Sequence, residues 1–158
     1  MKKKGIMVIK MIAIGADHGG YKFKEEIKKY LDENGIEYED VGTFSAERTD
    51  FPIMAKAVCK MIQEGKADRG VLICRSGYGM AIAANKFKGI YCAPVYNEES
   101  ARFCKAHNDT NVLALGADYM NINDAISFLR IWLATSFSGG RYYERLKMIK
   151  EIEDNNMK

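Results

Sequence analysis

Four short segments hold residue types suited to proton transfer and anion binding. In Asp17-His18-Gly19-Gly20, a carboxylate and an imidazole follow an apolar run and precede an amphipathic one. The glycines let backbone approach a ligand closely, and a helix opening there offers unused N–H groups. Such a segment can bind sugar hydroxyls or a phosphate. The plain structural alternative makes Asp17 a helix N-cap and His18 a surface residue. The glycine spacing does not fit G-x-G-x-x-G, which disfavours a dinucleotide loop.

In Cys74-Arg75-Ser76-Gly77-Tyr78-Gly79-Met80, a thiol ends an apolar run and a glycine-rich loop enters a helix. Backbone N–H groups in such a loop can cradle an anion. In an isomerase that anion is an enediolate oxygen, and the cradle is an oxyanion hole. Cys74 then fits the base that removes a carbon-bound proton, acting as a thiolate. The alternative is an inert buried cysteine beside an ordinary turn. His107-Asn108-Asp109 contains the other histidine of the chain. An imidazole titrates near neutrality and suits proton transfer to a ring oxygen; its alternative is a helix C-terminal His favoured by the helix dipole. Arg141 and Arg145 stand four apart after Gly139-Gly140, so they share one helical face. Two guanidinium groups on one face make a phosphate clamp, or simply a solvated helix.

The elements that must position these groups alternate between strand and helix. Apolar, partly β-branched runs over Val8–Ile14, Ile36–Val41, Gly70–Cys74, Ile90–Val95 and Val112–Leu115 read as strands. Helical patterns fill the intervals at Tyr21–Asn34, Phe51–Glu64, Tyr78–Lys86 and Glu98–Ala106. Ile122–Phe137 and Arg141–Glu153 follow them. In the first helix Phe23, Ile27, Tyr30 and Leu31 share one face, with Lys and Glu elsewhere. Pro52 sits near the first turn of the second. This repetition predicts an α/β fold, a parallel sheet covered on both faces, with ligands at the carboxyl ends of its strands. The loops after strands one, three and five are then the ones to inspect.

The 158 residues fit one domain over 1–158, with 1–10 as a short N-terminal extension. With 47% apolar and 28% charged residues, the composition is that of an ordinary globular chain. A net charge of +3 is too small to argue for nucleic acid. No stretch reaches the ~20 apolar residues of a membrane span. Lys2, Lys3 and Lys4 precede an apolar run, but Lys10 interrupts it and no small-residue cleavage site follows, so a signal peptide is not expected. The four cysteines form no C-x-x-C pair and only two histidines are present, so no metal site is expected and the thiols read as reduced and cytoplasmic.

Taken in order, the segments resemble a known family. Ile-Ala-Ile-Gly-Ala-Asp17-His18-Gly-Gly, Thr49-Asp50-Phe51-Pro52 and Gly-Val-Leu-Ile-Cys74-Arg-Ser-Gly-Tyr-Gly-Met-Ala-Ile-Ala-Ala-Asn85-Lys86 are similar to blocks of the ribose-5-phosphate isomerase B family, which includes galactose-6-phosphate isomerase subunits. So are His107-Asn108-Asp109-x-Asn111-Val-Leu-Ala-Leu-Gly116 and Phe137-x-Gly-Gly-Arg141-x-x-x-Arg145. The likeness runs from about Met11 to about Ile152. It implies a Rossmann-like three-layer α/β/α sandwich with a five-stranded parallel sheet. It further implies a homodimer, with a tetramer as the alternative assembly, and a C-terminal helix over 139–153 packing on the partner. The implied activity is a proton transfer through a cis-enediolate between ribose 5-phosphate and ribulose 5-phosphate, without metal or cofactor.

By matching position, the resemblance makes Cys74 the base, with Ser76, Gly77 and Gly79 as the anion cradle. Asp17 binds hydroxyls, His107 assists ring opening, and Asn108 holds the substrate. His18, Arg141 and Arg145 take the phosphate. The family builds its site across the dimer interface. Three positions depart from its pattern: Arg75 stands where a small residue is common, and Asp118 and Tyr91 stand where arginine is usual. These leave open another sugar phosphate of galactose, allose or erythrose type. A non-catalytic sugar-phosphate-binding module on the same fold is the alternative outside enzymes.

Overall fold

The computed structural model describes residues 9–158. Five strands are joined by helices: β1 (Ile12–Ala16), α1 (Tyr21–Glu33), β2 (Tyr38–Gly42), α2 (Phe51–Gln63), β3 (Arg69–Cys74) and α3 (Tyr78–Ala84). There follow β4 (Cys92–Pro94), α4 (Glu98–Ala106), β5 (Val112–Gly116), a 3-10 turn (Ala117–Tyr119), α5 (Ile122–Ala134) and α6 (Arg141–Asn156). The sheet is parallel throughout, in the order β2-β1-β3-β5-β4. The chain steps from β1 outward to β2 and then back to β3 on the other side of β1. The crevice above β1 and β3 is therefore the point where strand order reverses, the usual ligand position in open α/β sheets.

Alternation along the strands divides the core into two layers. Ile12, Ile14, Val71, Ile73, Leu113 and Leu115 face one side, packing with Ile27 and Leu31 of α1 and Phe128, Leu129 and Trp132 of α5. Ala13, Leu72, Cys74, Val112 and Ala114 face the other, packing with Val58 of α2 and Met80 of α3. The result is the expected three-layer α/β/α sandwich. Cys74 is thereby placed by strand parity on the α2–α3 face.

Several boundaries differ from expectation. The first strand begins at Ile12 rather than Val8; the N–H groups of Lys10 and Met11 donate instead to the Asp68 carboxylate at 3.0 and 2.9 Å. Residues 1–8 of the expected basic extension lie outside the described residues. β4 is cut to three residues, because at its start the Tyr91 N–H is taken by the Asn111 side chain at 2.9 Å. α5 ends at Ala134, three residues short of Phe137. Thr135 turns to extended backbone, and the Ser138 N–H ties the chain to the Ala106 carbonyl at 2.9 Å. Lys24, on the nominally polar side of α1, is fully buried. Asp40 of β2 accepts from its ammonium at 2.5 Å and from that of Lys28 at 2.9 Å, which makes burial of the charge tolerable.

Candidate active site

The loops after β1, β3 and β5 meet at the carboxyl end of the sheet. Cys74 closes β3, only 4% exposed. Its Sγ accepts the N–H of Gly77 at 3.1 Å, so the loop after the strand curls back over the thiol. That curl needs Gly77 at φ +85°, a conformation costly for a residue with a Cβ. It also needs Gly116 opposite, where a Cβ would lie 2.3 Å from the Ser76 carbonyl oxygen. Ser76 Oγ accepts the Tyr78 N–H at 3.2 Å. Gly79 stands in the first turn of α3, against the Phe51 ring.

On the β1 side, Asp17 is nearly buried and accepts the Gly20 N–H at 3.1 Å. The Asp17 N–H donates to the Ile73 carbonyl at 3.1 Å, fixing this loop to the residue before Cys74. His18 is anchored through Nδ1, which lies 3.2 Å from both the N–H and the carbonyl oxygen of Thr49. Asp17, His18, Cys74, Ser76, Gly77 and Gly79 are thus brought together, as expected of a site at the strand ends.

Three tyrosines wall this group. The rings of Tyr78, Tyr96 and Tyr119 lie 5.7 to 6.2 Å apart, in tilted and edge-on pairs. The Tyr96 hydroxyl donates to the Ser76 carbonyl at 2.7 Å. Burial pushes the Tyr96 phenol up, and a hydrogen bond with Tyr78 pushes it further. It therefore remains a donor at working pH and holds the Ser76 peptide in place. Nothing in the sequence marks Tyr96 except its position after β4. Burial also pushes up the thiols of Cys59, to about 12, and of Cys92 and Cys104. Those three stay protonated, which makes them poor bases.

The remaining candidates lie at the other end of the sheet. α4 runs antiparallel to the strands it connects, so His107 caps it at the amino end. The length of β5, roughly 13 Å over its four steps, separates that end from Cys74. There the His107 ring stacks between Phe103, at 4.6 Å, and Tyr142, at 4.2 Å. The guanidinium groups of Arg141 and Arg145 lie 5.0 and 5.7 Å from the centre of the same Tyr142 ring, on the shared face their spacing predicts. Asn108 is exposed and borders a cavity of about 320 Å³ between α6 and β4. Lys105 and Thr110 hold this turn: the buried Lys105 ammonium pairs with Asp109, and Trp132 Nε1 donates to Thr110 Oγ1 at 2.9 Å. Within one chain His107 therefore stands apart from the loops after β1, β3 and β5. His107, Asn108, Arg141 and Arg145 form a second group at the opposite end.

A family model described as Ribose/Galactose Isomerase matches residues 12–149, which span both groups. The chain belongs to the ribose/galactose isomerase family. It is 43% identical to ribose-5-phosphate isomerase B of Escherichia coli over 92% of this chain and 97% of that one. Its fold superposes on Clostridium thermocellum ribose-5-phosphate isomerase B with a TM-score of 0.90, at 41% identity, covering 92% and 98% of the two chains. It is also similar to Mycoplasma genitalium ribose-5-phosphate isomerase B, solved with bound ribulose-5-phosphate, at a TM-score of 0.88 and 30% identity over 92% and 97%.

Two of the three positions that depart from the family's pattern are paired with each other. Arg75 Nη1 lies 3.7 Å from Asp118 Oδ1. Tyr91 is remote from them, lining the cavity below α6. Among the described residues, no helix is long and apolar enough to cross a membrane, and no group of three or more His, Cys, Asp or Glu side chains is placed to hold a metal.

Proposed function

We propose that the chain is an aldose–ketose isomerase that interconverts ribose 5-phosphate and ribulose 5-phosphate. The observation that carries this reading is Cys74 at the tip of the central strand, its sulfur met by a glycine-loop N–H, in a chain of this family. The Cys74 thiolate takes the proton from carbon 2 of the open-chain aldose, forming a cis-enediolate. The resulting thiol returns a proton to carbon 1 while the hydroxyl proton on oxygen 2 passes to oxygen 1, which completes the ketose. The amide groups of the Ser76–Gly79 loop receive the charge that develops on oxygen. Asp17 accepts from substrate hydroxyls.

The second group joins the first across a dimer. Exposed apolar side chains support this: Ile53, Tyr78, Ile82 and Tyr119 surround the Cys74 end, and Met148 and Ile152 lie on α6. In that assembly His107 of one subunit serves ring opening at the Cys74 of the other. Asn108 holds the sugar, and Arg141 and Arg145 join His18 on the phosphate. Isolated residues of the second group have no substrate to act on within their own chain.

A turnover screen over ribose, allose, galactose and erythrose phosphates tests the reading, with ketose formation as the readout. Ribose 5-phosphate should give the highest kcat/KM. A higher value for another sugar keeps the reaction and changes the substrate. Tight binding without turnover on any of them would mark a binding module.

A further inference from the structure

Arg75 directly follows Cys74, and its side chain is restrained at both ends. A Cβ added to Gly19 would lie 2.5 Å from Arg75 Cγ and 3.3 Å from Nε, so the arginine stem lies flat on the backbone after β1. Its head reaches Asp118, in the turn after β5, at 3.7 Å. The Asp118 N–H donates to the Arg75 carbonyl at 2.9 Å, holding that turn against the arginine backbone. β1 and β5 are the two neighbours of β3 in the sheet. The side chain therefore lies at the carboxyl end of the sheet, between the turn after β1 and the Asp118 side chain that reaches it from the turn after β5.

The ion pair is well solvated, the two side chains being 64% and 53% exposed. Such pairs contribute little to stability, so Asp118 orients the head rather than locking it. Because each charge answers the other, what the pair chiefly adds to the mouth of the site is bulk.

We propose that Arg75 is a specificity-determining residue that limits the length of the aldose phosphate seated over Cys74, favouring five carbons over six. The inference rests on the isomerase reading above. The reacting carbons must sit at Cys74 while the phosphate sits at its own anchors. One further carbon has to bow out of the line between them, and the mouth into which it would bow is where Arg75 lies.

The test compares kcat/KM for ribose 5-phosphate and allose 6-phosphate in the wild type, Arg75→Gly, Arg75→Ala and Arg75→Met. The allose-to-ribose ratio should rise by about tenfold or more in the glycine and alanine variants, the scale of one methylene's worth of room in a pocket. Arg75→Met keeps the stem and drops the charge, and should stay within about threefold of the wild-type ratio. An unchanged ratio in both short variants overturns the inference, as does a methionine variant that shifts as far as they do, since charge would then be the determinant. Those results leave the isomerase reading standing. A wild type that turns over neither sugar overturns both.

Discussion

Cys74 ends β3 at the carboxyl edge of the sheet, and His107 ends α4 at the amino edge. With roughly 13 Å of strand between those edges, one chain cannot apply both side chains to one small sugar. A two-fold dimer resolves this if each site takes Cys74 from one subunit and His107 from the other.

That arrangement has an arithmetic signature. Cys74→Ala and His107→Ala should each be close to inactive on cyclic ribose 5-phosphate. Co-expressed with different tags and purified through both, they should form a heterodimer with one site carrying both lesions and one carrying none. Its activity should be about half that of the wild type, because a two-fold dimer holds two equivalent sites. A heterodimer no more active than its parents would refute the shared site.

Tyr96 offers a test of the cradle that touches no reacting atom. Its hydroxyl holds the Ser76 carbonyl at 2.7 Å, and burial keeps that hydroxyl protonated. Tyr96→Phe leaves a partly buried carbonyl short of its donor and should cost about 1 kcal/mol of stability. A cradle displaced by a fraction of an ångström should also lower kcat by about tenfold, with KM little changed. Thermal unfolding together with steady-state kinetics separates the two effects. Lost stability with intact kcat would mean that the tyrosine only packs.

Asp40 ties β2 to α1 beneath this site. Burial opposes the charged carboxylate, but hydrogen bonds from Lys24 and Lys28 outweigh it and hold the carboxyl below its ordinary range. A group whose folded value is depressed contributes stability that is fully present above its unfolded value, near 4, and lost as pH falls through the folded value. Asp40→Asn should therefore cost roughly 2 kcal/mol at pH 7, because it removes the nearer of the two carboxylates that face the buried Lys24 ammonium and leaves Glu25 alone at 3.2 Å. The gap between variant and wild type should close as pH drops below about 4. Urea denaturation at pH 7 and at pH 3 checks this; a gap equal at both would show that the carboxylate charge is not what matters.

Much of this molecule is legible in its sequence, for identifiable reasons. The continuous apolar run ending at Cys74 can only be a strand buried on both faces, and it sits at the sheet's centre. Glycine placement announces the loop that follows it. What stays hidden depends on partners distant in sequence. Lys24 reads as a solvated lysine until Asp40 arrives from β2. Tyr96 reads as a loop residue until the fold brings the Ser76 carbonyl to it. Asn111 takes the Tyr91 N–H and shortens β4 from outside. The side of the sheet on which His107 falls does follow from element order, since a helix joining two parallel strands must run back to their amino ends. Motif reading places residues along the chain, and only topology separates them in space.

The most direct measurement follows the proton on carbon 2. Ribose 5-phosphate deuterated at that carbon, incubated with wild-type protein in water, should lose its label as ribulose 5-phosphate forms. Cys74→Ala should slow both processes by about 10³-fold while binding the sugar phosphate nearly as well. A Cys74→Ala protein that exchanges the label and forms ketose at near wild-type rates would contradict the assignment of this thiol as the base.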